Sequence, residues 1–165
     1  MKLYVVSCAA VLLIALTGCG LSTTRYVPVE VAKVINVPDK SQREIYDKAR
    51  QWFSHYFVSG KSVVDYEDAN AGVIIGNGKA DIGADFMGVV TYGIDYTIRV
   101  ETRDGRLRVL TNVIKHTNSD TTNGTYDVAT PSADRVNRAK QHVDSIAANI
   151  EKYVNSNTHG ASADW

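Results

Sequence analysis

From Val90 to Glu101 apolar and polar side chains take turns. Val90, Tyr92, Ile94, Tyr96, Ile98 and Val100 alternate with Thr91, Gly93, Asp95, Thr97, Arg99 and Glu101. A period of two predicts a strand, here Val89 to Arg103, with one buried and one wet face. Asp104-Gly105 then separates it from a second such run, Arg106 to His116, and Asp-Gly at that place is a strong hairpin signal. A tight turn there sets Val100 opposite Val109, Ile98 opposite Thr111 and Tyr96 opposite Val113, so one apolar face continues across both strands. Upstream, Ser62 to Glu67 and Val73 to Ile82 read as two more strands around a turn at Asp68 to Gly72. The β-branched stretch Val29 to Val37 reads as a first strand stopped by Pro38-Asp39.

Two segments change period. Ser41-Gln42-Arg43-Glu44 is a capping box, and Ile45, Ala49, Trp52, Phe53 and Tyr56 follow at helical spacing until Ser59-Gly60. Ser132 caps a longer helix whose stripe of Val136, Ala139, Val143, Ile146, Ala147, Ile150 and Val154 runs to about Asn155. In this reading Arg135 and Arg138 fall off the stripe. Between the last strand and this helix, residues 117 to 131 are polar and rich in Asn, Ser, Asp and Gly, which predicts a mobile loop. The expected fold class is α+β: an antiparallel sheet of about five strands with two helices on one face, in the order β-α-β-β-β-β-α.

Residues 1–18 belong to a different pattern. Lys2 is followed by an uncharged run from Leu3 to Leu16, of signal-peptide length and short for a membrane span of about 20 apolar residues. Leu16-Thr17-Gly18-Cys19 resembles the bacterial lipobox at all four positions. The resemblance implies cleavage before Cys19 and acylation of that cysteine, giving a partner in the lipid bilayer; an ordinary signal peptide with an accidental cysteine is the alternative. Gly20 after the cysteine, where Asp would retain such a protein at the inner membrane, implies the outer membrane if the cell has one. The domain plan is then a signal at 1–18, a lipidated tether at 19–25, one α+β domain at 26–155 and a loose tail at 156–165.

Composition narrows the function classes. The 165 residues carry 18 basic and 18 acidic groups, too even a balance for a nucleic-acid binder. Of the two cysteines Cys8 lies in the signal, so a chain cut before Cys19 could form no internal disulfide. Removing Lys2 with the signal leaves one more acidic than basic group, so lipid rather than charge would have to hold the domain on a membrane.

The run Ser41-x-x-Glu44-x-Tyr46-x-x-Ala49-x-x-Trp52-Phe53, with Val63-Val64-x-Tyr66-Glu67-Asp68, Ala71-Gly72-x-Ile74-Ile75-Gly76 and Gly78, resembles a bacterial domain family of unknown function with a TATA-binding-protein-like fold. The likeness covers about Val34 to Val113. It implies the helix-on-sheet architecture and brings no catalytic residues with it.

Candidate chemistry is sparse. Asp65, Glu67 and Asp68, beside Lys61, form the densest charged cluster. Asp65 and Glu67 are expected on one strand face about 7 Å apart, close enough for a cation or an acid–base pair. The bland reading is a charged strand leading into a polar turn. His55, His116, His142 and His159 lie in no metal-ligand spacing and are read as surface residues. Gly72, Gly76 and Gly78 precede no helix start, so they are read as a strand bulge rather than a phosphate cradle. Tyr92 and Tyr96 are read as core, and Tyr26, Tyr126 and Tyr153 as free for the surface. No cofactor, metal or nucleic acid is expected. The leading expectation is a non-enzymatic module that binds an envelope protein or cell-wall polymer through the sheet face carrying Thr91, Asp95, Thr97, Arg99 and Glu101 and the Asn-rich loop from Thr117 to Thr130. An envelope hydrolase or metal-dependent enzyme using Asp65, Glu67 or Asp68 is the alternative.

Overall fold

The computed structural model describes residues 28–57 and 62–156, where the chain runs β1 (Glu30–Asn36), α1 (Gln42–Tyr56), β2 (Ser62–Asp68), β3 (Val73–Ala84), β4 (Thr91–Arg103), β5 (Arg106–Asp120), β6 (Gly124–Val128) and α2 (Ala133–Asn155). The expected signal at 1–18, Cys19 and the expected tether at 19–25, Tyr26, Lys61, His159 and all but Ser156 of the expected tail at 156–165 lie outside the described residues. The strands form one antiparallel sheet in the order β1-β5-β4-β3-β2, and β6 pairs with β5 as well. No described helix is long and apolar enough to cross a membrane.

The β4–β5 hairpin forms the centre with the expected register: Val100 opposite Val109, Ile98 opposite Thr111, Tyr96 opposite Val113. Its two-residue turn holds Gly105 at φ +72° and is tied to the chain before α1. Gly105 N–H donates to the Lys40 carbonyl at 2.9 Å, and the Gln42 N–H donates to Asp104 Oδ1 at 2.7 Å. The capping box closes as written, with Glu44 N–H donating to Ser41 Oγ at 3.3 Å and Ser41 N–H donating to Glu44 Oε2 at 2.9 Å.

Both helices lay their apolar stripes on the same sheet face. Ile45, Ala49, Trp52 and Phe53 of α1 meet Ala139, Val143, Ile146 and Ile150 of α2 over Ile74, Ile94, Tyr96, Ile98 and Val100, all buried. Lys33 of β1 pairs with Glu151 of α2 at 2.5 Å, fixing the second helix to the sheet edge.

Three expectations need correction. Residues 117–131 are not one loop: β5 continues to Asp120, turns over Gly124 at φ +69° and returns as β6. The Asp120 carboxylate accepts from the N–H groups of Thr122 (2.8 Å) and Asn123 (2.6 Å), which closes the turn. Secondly, Gly76 and Gly78 are not bulges; the described bulges lie at Asp65 in β2, Ile82 in β3 and Ile114 in β5. A Cβ at Gly78 would stand 2.5 Å from Tyr96 Cζ, and one at Gly76 2.8 Å from Phe53 Cε1, so these glycines admit aromatic rings onto the backbone. Thirdly, Arg135 is buried rather than off the stripe.

Candidate functional site

The face of the sheet opposite the helices carries a ladder of polar pairs across β3, β4, β5 and β6. Glu101 accepts from Arg99 Nε at 2.7 Å and from Arg108 Nη2 at 2.5 Å. The Arg99 hydrogen bond first, then Arg108, holds the Glu101 carboxyl below its ordinary range. Thr97 Oγ1 donates to Asn77 Oδ1 at 2.7 Å, while Asp95 lies between Lys79 (3.4 Å) and Lys115 (3.7 Å). Lys115 also pairs with Asp127 of β6 at 2.9 Å. Each exposed pair contributes only about 0–1 kcal/mol, so the ladder's main effect is to order side chains on a surface that neither described helix covers.

Toward the β6 end this face sinks into a cleft of about 360 Å³ lined by Lys79, Asp81, Thr91, Asp95, Ser119 and Thr125, with Gly93 and Thr117 among its walls. Gly93 makes room for it, since a Cβ there would stand 2.6 Å from Thr117 Oγ1. The structure therefore divides the expected partner surface. Thr91 and Asp95 line the cleft, whereas Thr97, Arg99 and Glu101 belong to the ladder beside it. Ser119 and Thr125 reach the cleft only because β6 exists. Asn123-Gly124, a strong hairpin dipeptide, was the signal for it.

The acidic cluster is spread over three separate roles. The extra residue at Asp65 breaks the strand alternation, so Asp65 and Glu67 are not successive residues of one regular face as expected. Glu67 is held by Arg50 of α1 through two hydrogen bonds, 2.9 and 3.2 Å. Asp68 accepts from the N–H groups of Ala71 (3.0 Å) and Asn70 (2.9 Å), which closes the β2–β3 turn and holds its carboxyl below the ordinary range. Among the described residues no three His, Cys, Asp or Glu side chains gather in a way that would hold a metal ion.

Two histidines read as surface residues are packed inside. His116 is buried and His142 half-buried against the Tyr96 ring at 5.5 Å, while His55 is exposed as expected. Arg135 lies over the Tyr92 ring at 4.1 Å, donates to the Thr117 carbonyl at 3.1 Å and bonds the Asn118 side chain. Tyr96 is core as expected and Tyr92 partly so; Tyr126 is exposed, while Tyr153 packs against the core. Burial lowers both histidines below the usual imidazole range, His116 also through the Arg135 charge. On unfolding they regain an ordinary pKa near 6.5, so below that pH the unfolded chain binds more protons than the folded one. Stability is expected to be level above about pH 7 and to fall as pH drops from about 6.5 toward 5, by at most about 1.4 kcal/mol per pH unit for each histidine. Urea midpoints at three pH values check this. An unchanged midpoint between about pH 7.5 and 5.5 would mean that both rings protonate freely in the fold.

The family model "Domain of unknown function (DUF4468) with TBP-like fold" matches residues 32–117. A DUF4468 family protein from Bacteroides ovatus superposes with a TM-score of 0.60 at 16% identity, over 78% of this chain and 87% of that one. A TBP-like protein from Parabacteroides distasonis gives 0.61 at 16% identity, over 78% of this chain and 94% of that one. At such identity the likeness is one of fold. No curated protein matches the sequence. The family match runs from within β1 to within β5, taking in α1, β2, β3 and β4 and with them the ladder up to Lys115, and the chain belongs to the DUF4468 family.

Proposed function

We propose that this protein is an exported lipoprotein, acylated at Cys19 and held on the cell envelope, and that it acts there as a non-enzymatic binding module. The observation that carries this reading is the cleft on the uncovered sheet face.

 The cleft presents four hydroxyl-bearing side chains, two carboxylates and a lysine, with room for an extended polar group, and the ladder beside it fixes the surroundings in place. Groups arranged this way suit hydrogen bonding to a polar envelope component, a protein segment or a cell-wall polymer. By contrast, Glu67 and Asp68 are already engaged in holding the fold together.

The test is photo-crosslinking in cells from the acylated full-length protein, with the reactive side chain at Thr125 in the cleft or at Ala148 on the exposed side of α2, and a Cys19→Ala chain as control. Capture of one component from position 125, absent from 148 and lost when Thr91→Trp fills the cleft, is the expected result. Equal capture from both positions, or capture indifferent to Thr91→Trp, would remove the cleft from the reading. Mass measurement of the membrane-extracted protein tests acylation separately.

A further inference from the structure

The largest apolar exposure among the described residues is at the turn joining β3 to β4. Phe86 is fully exposed, Met87 is 79% exposed and Val89 54%. The turn holding them is closed by hydrogen bonds. Asp85 N–H donates to the Val90 carbonyl at 2.9 Å, and Asp85 Oδ1 accepts from the N–H groups of Val89 (2.8 Å) and Val90 (3.2 Å). Gly88, at φ +70°, completes the reversal. A built turn thus projects a phenylalanine and a methionine into water, where they satisfy nothing; exposed apolar groups in such a cluster mark a contact.

We infer that this tip enters the bilayer to which the chain is anchored, as a second membrane contact; the inference rests on acylation at Cys19. Reach supports it. The chain joins the sheet at Val29, whose carbonyl accepts from Val113 N–H at 2.9 Å. From Val113 along β5 to Ser119, which pairs with Thr91 at the base of the tip, is about 20 Å at the usual rise, and crossing from β5 to β3 adds about 10 Å sideways. The nine residues Cys19–Val27 can span up to about 30 Å. A lipid on Cys19 and the side chains of Phe86 and Met87 can therefore occupy the same leaflet. β1 runs away from the tip, so its start, beside Val29, is the end of that strand nearer the tip. The opposite end of the sheet closes at Arg103-Asp104-Gly105-Arg106, which has no apolar side chain to insert.

The acyl chains supply the permanence and the tip supplies the orientation. Two points of contact stand the strands across the membrane surface, so the open sheet face and its cleft look along the membrane instead of into it.

The test places a tryptophan at the tip, Phe86→Trp, in the full-length acylated protein in vesicles of phosphatidylethanolamine and phosphatidylglycerol with brominated acyl chains. A Val34→Trp chain, labelled on the open face, is the control, and both are read against the parent with its Trp52 and Trp165. The expected result is at least twofold quenching of the added fluorescence at position 86 and none at 34. No quenching at 86, including shielding of that tryptophan by a second copy or another protein, would overturn the inference. If the mass shows no acyl group, a Cys8→Ser chain coupled at Cys19 to a maleimide lipid gives the same readout. The tip then stands or falls independently of natural acylation.

Discussion

Trp52→Ala is expected to destabilise the domain by about 3–5 kcal/mol, the usual range for removing a buried tryptophan. The indole is 1% exposed, stacks on Tyr56 at 4.6 Å and meets the edges of Phe53 at 5.1 Å and Phe57 at 6.0 Å. Its Nε1–H donates to Asn149 Oδ1 on α2 at 2.7 Å, so one side chain fills the space between the helices and bonds them. Alanine removes the ring contacts and the interhelical hydrogen bond together. Because domains are stable by only about 5–15 kcal/mol, a loss of that size removes a large share of the total. Denaturant unfolding checks it, and Trp52→Phe, which keeps most of the packing, supplies a value if the alanine chain does not fold. A double-mutant cycle of Trp52→Phe with Asn149→Ala isolates the hydrogen bond, expected at about 1 kcal/mol. A loss under about 1 kcal/mol for Trp52→Ala would mean that the helices are held by their aliphatic stripes instead.

What could be read in advance follows from how each element is stabilised. β4 is half-buried along its whole length, so burial writes itself into the sequence as alternation from Val90 to Val100. The register with β5 was legible because a two-residue turn at Asp104-Gly105 leaves one pairing. β6 has no apolar face to announce it; Thr125 and Asp127 look onto the open side, and Tyr126 is itself exposed. Its only local signal is the turn at Asn123-Gly124. The cleft depends on that strand and was hidden with it.

Bulges escape a period-of-two reading because one extra residue leaves both flanking runs intact. Ile114 is such a residue, unpaired between Val113 and Lys115, and the apolar pair Val113-Ile114 was its trace. At Asp65 the same device separates carboxylates that regular alternation would have aligned. Arg135 carries a charge and so does not register in a stripe of apolar residues, although Arg135, Ala139 and Val143 lie four residues apart on one helix face. Only the tertiary structure supplies the Tyr92 ring and Thr117 carbonyl that make its burial favourable.

Gly78→Val is expected to destabilise the domain by about 3 kcal/mol, the upper part of the range for overpacking. Gly78 and Tyr96 are cross-strand partners, and the buried Tyr96 ring lies so close over the glycine that a Cβ would stand 2.5 Å from its Cζ. The ring cannot move outward, because His142 of α2 lies against it with centroids 5.5 Å apart. Tyr96→Val alone should also destabilise, by about 2–4 kcal/mol, through the cavity it leaves. Combined, the two changes trade volume across one pair: the new valine at 78 fills part of the space the tyrosine vacates. The double variant is therefore expected to be more stable than the sum of the singles by about 1–3 kcal/mol. Denaturant unfolding of the four chains measures the coupling. Additive losses would mean that Gly78 is required by the backbone of β3 itself, whereas a positive coupling assigns it to the ring, as the distances do.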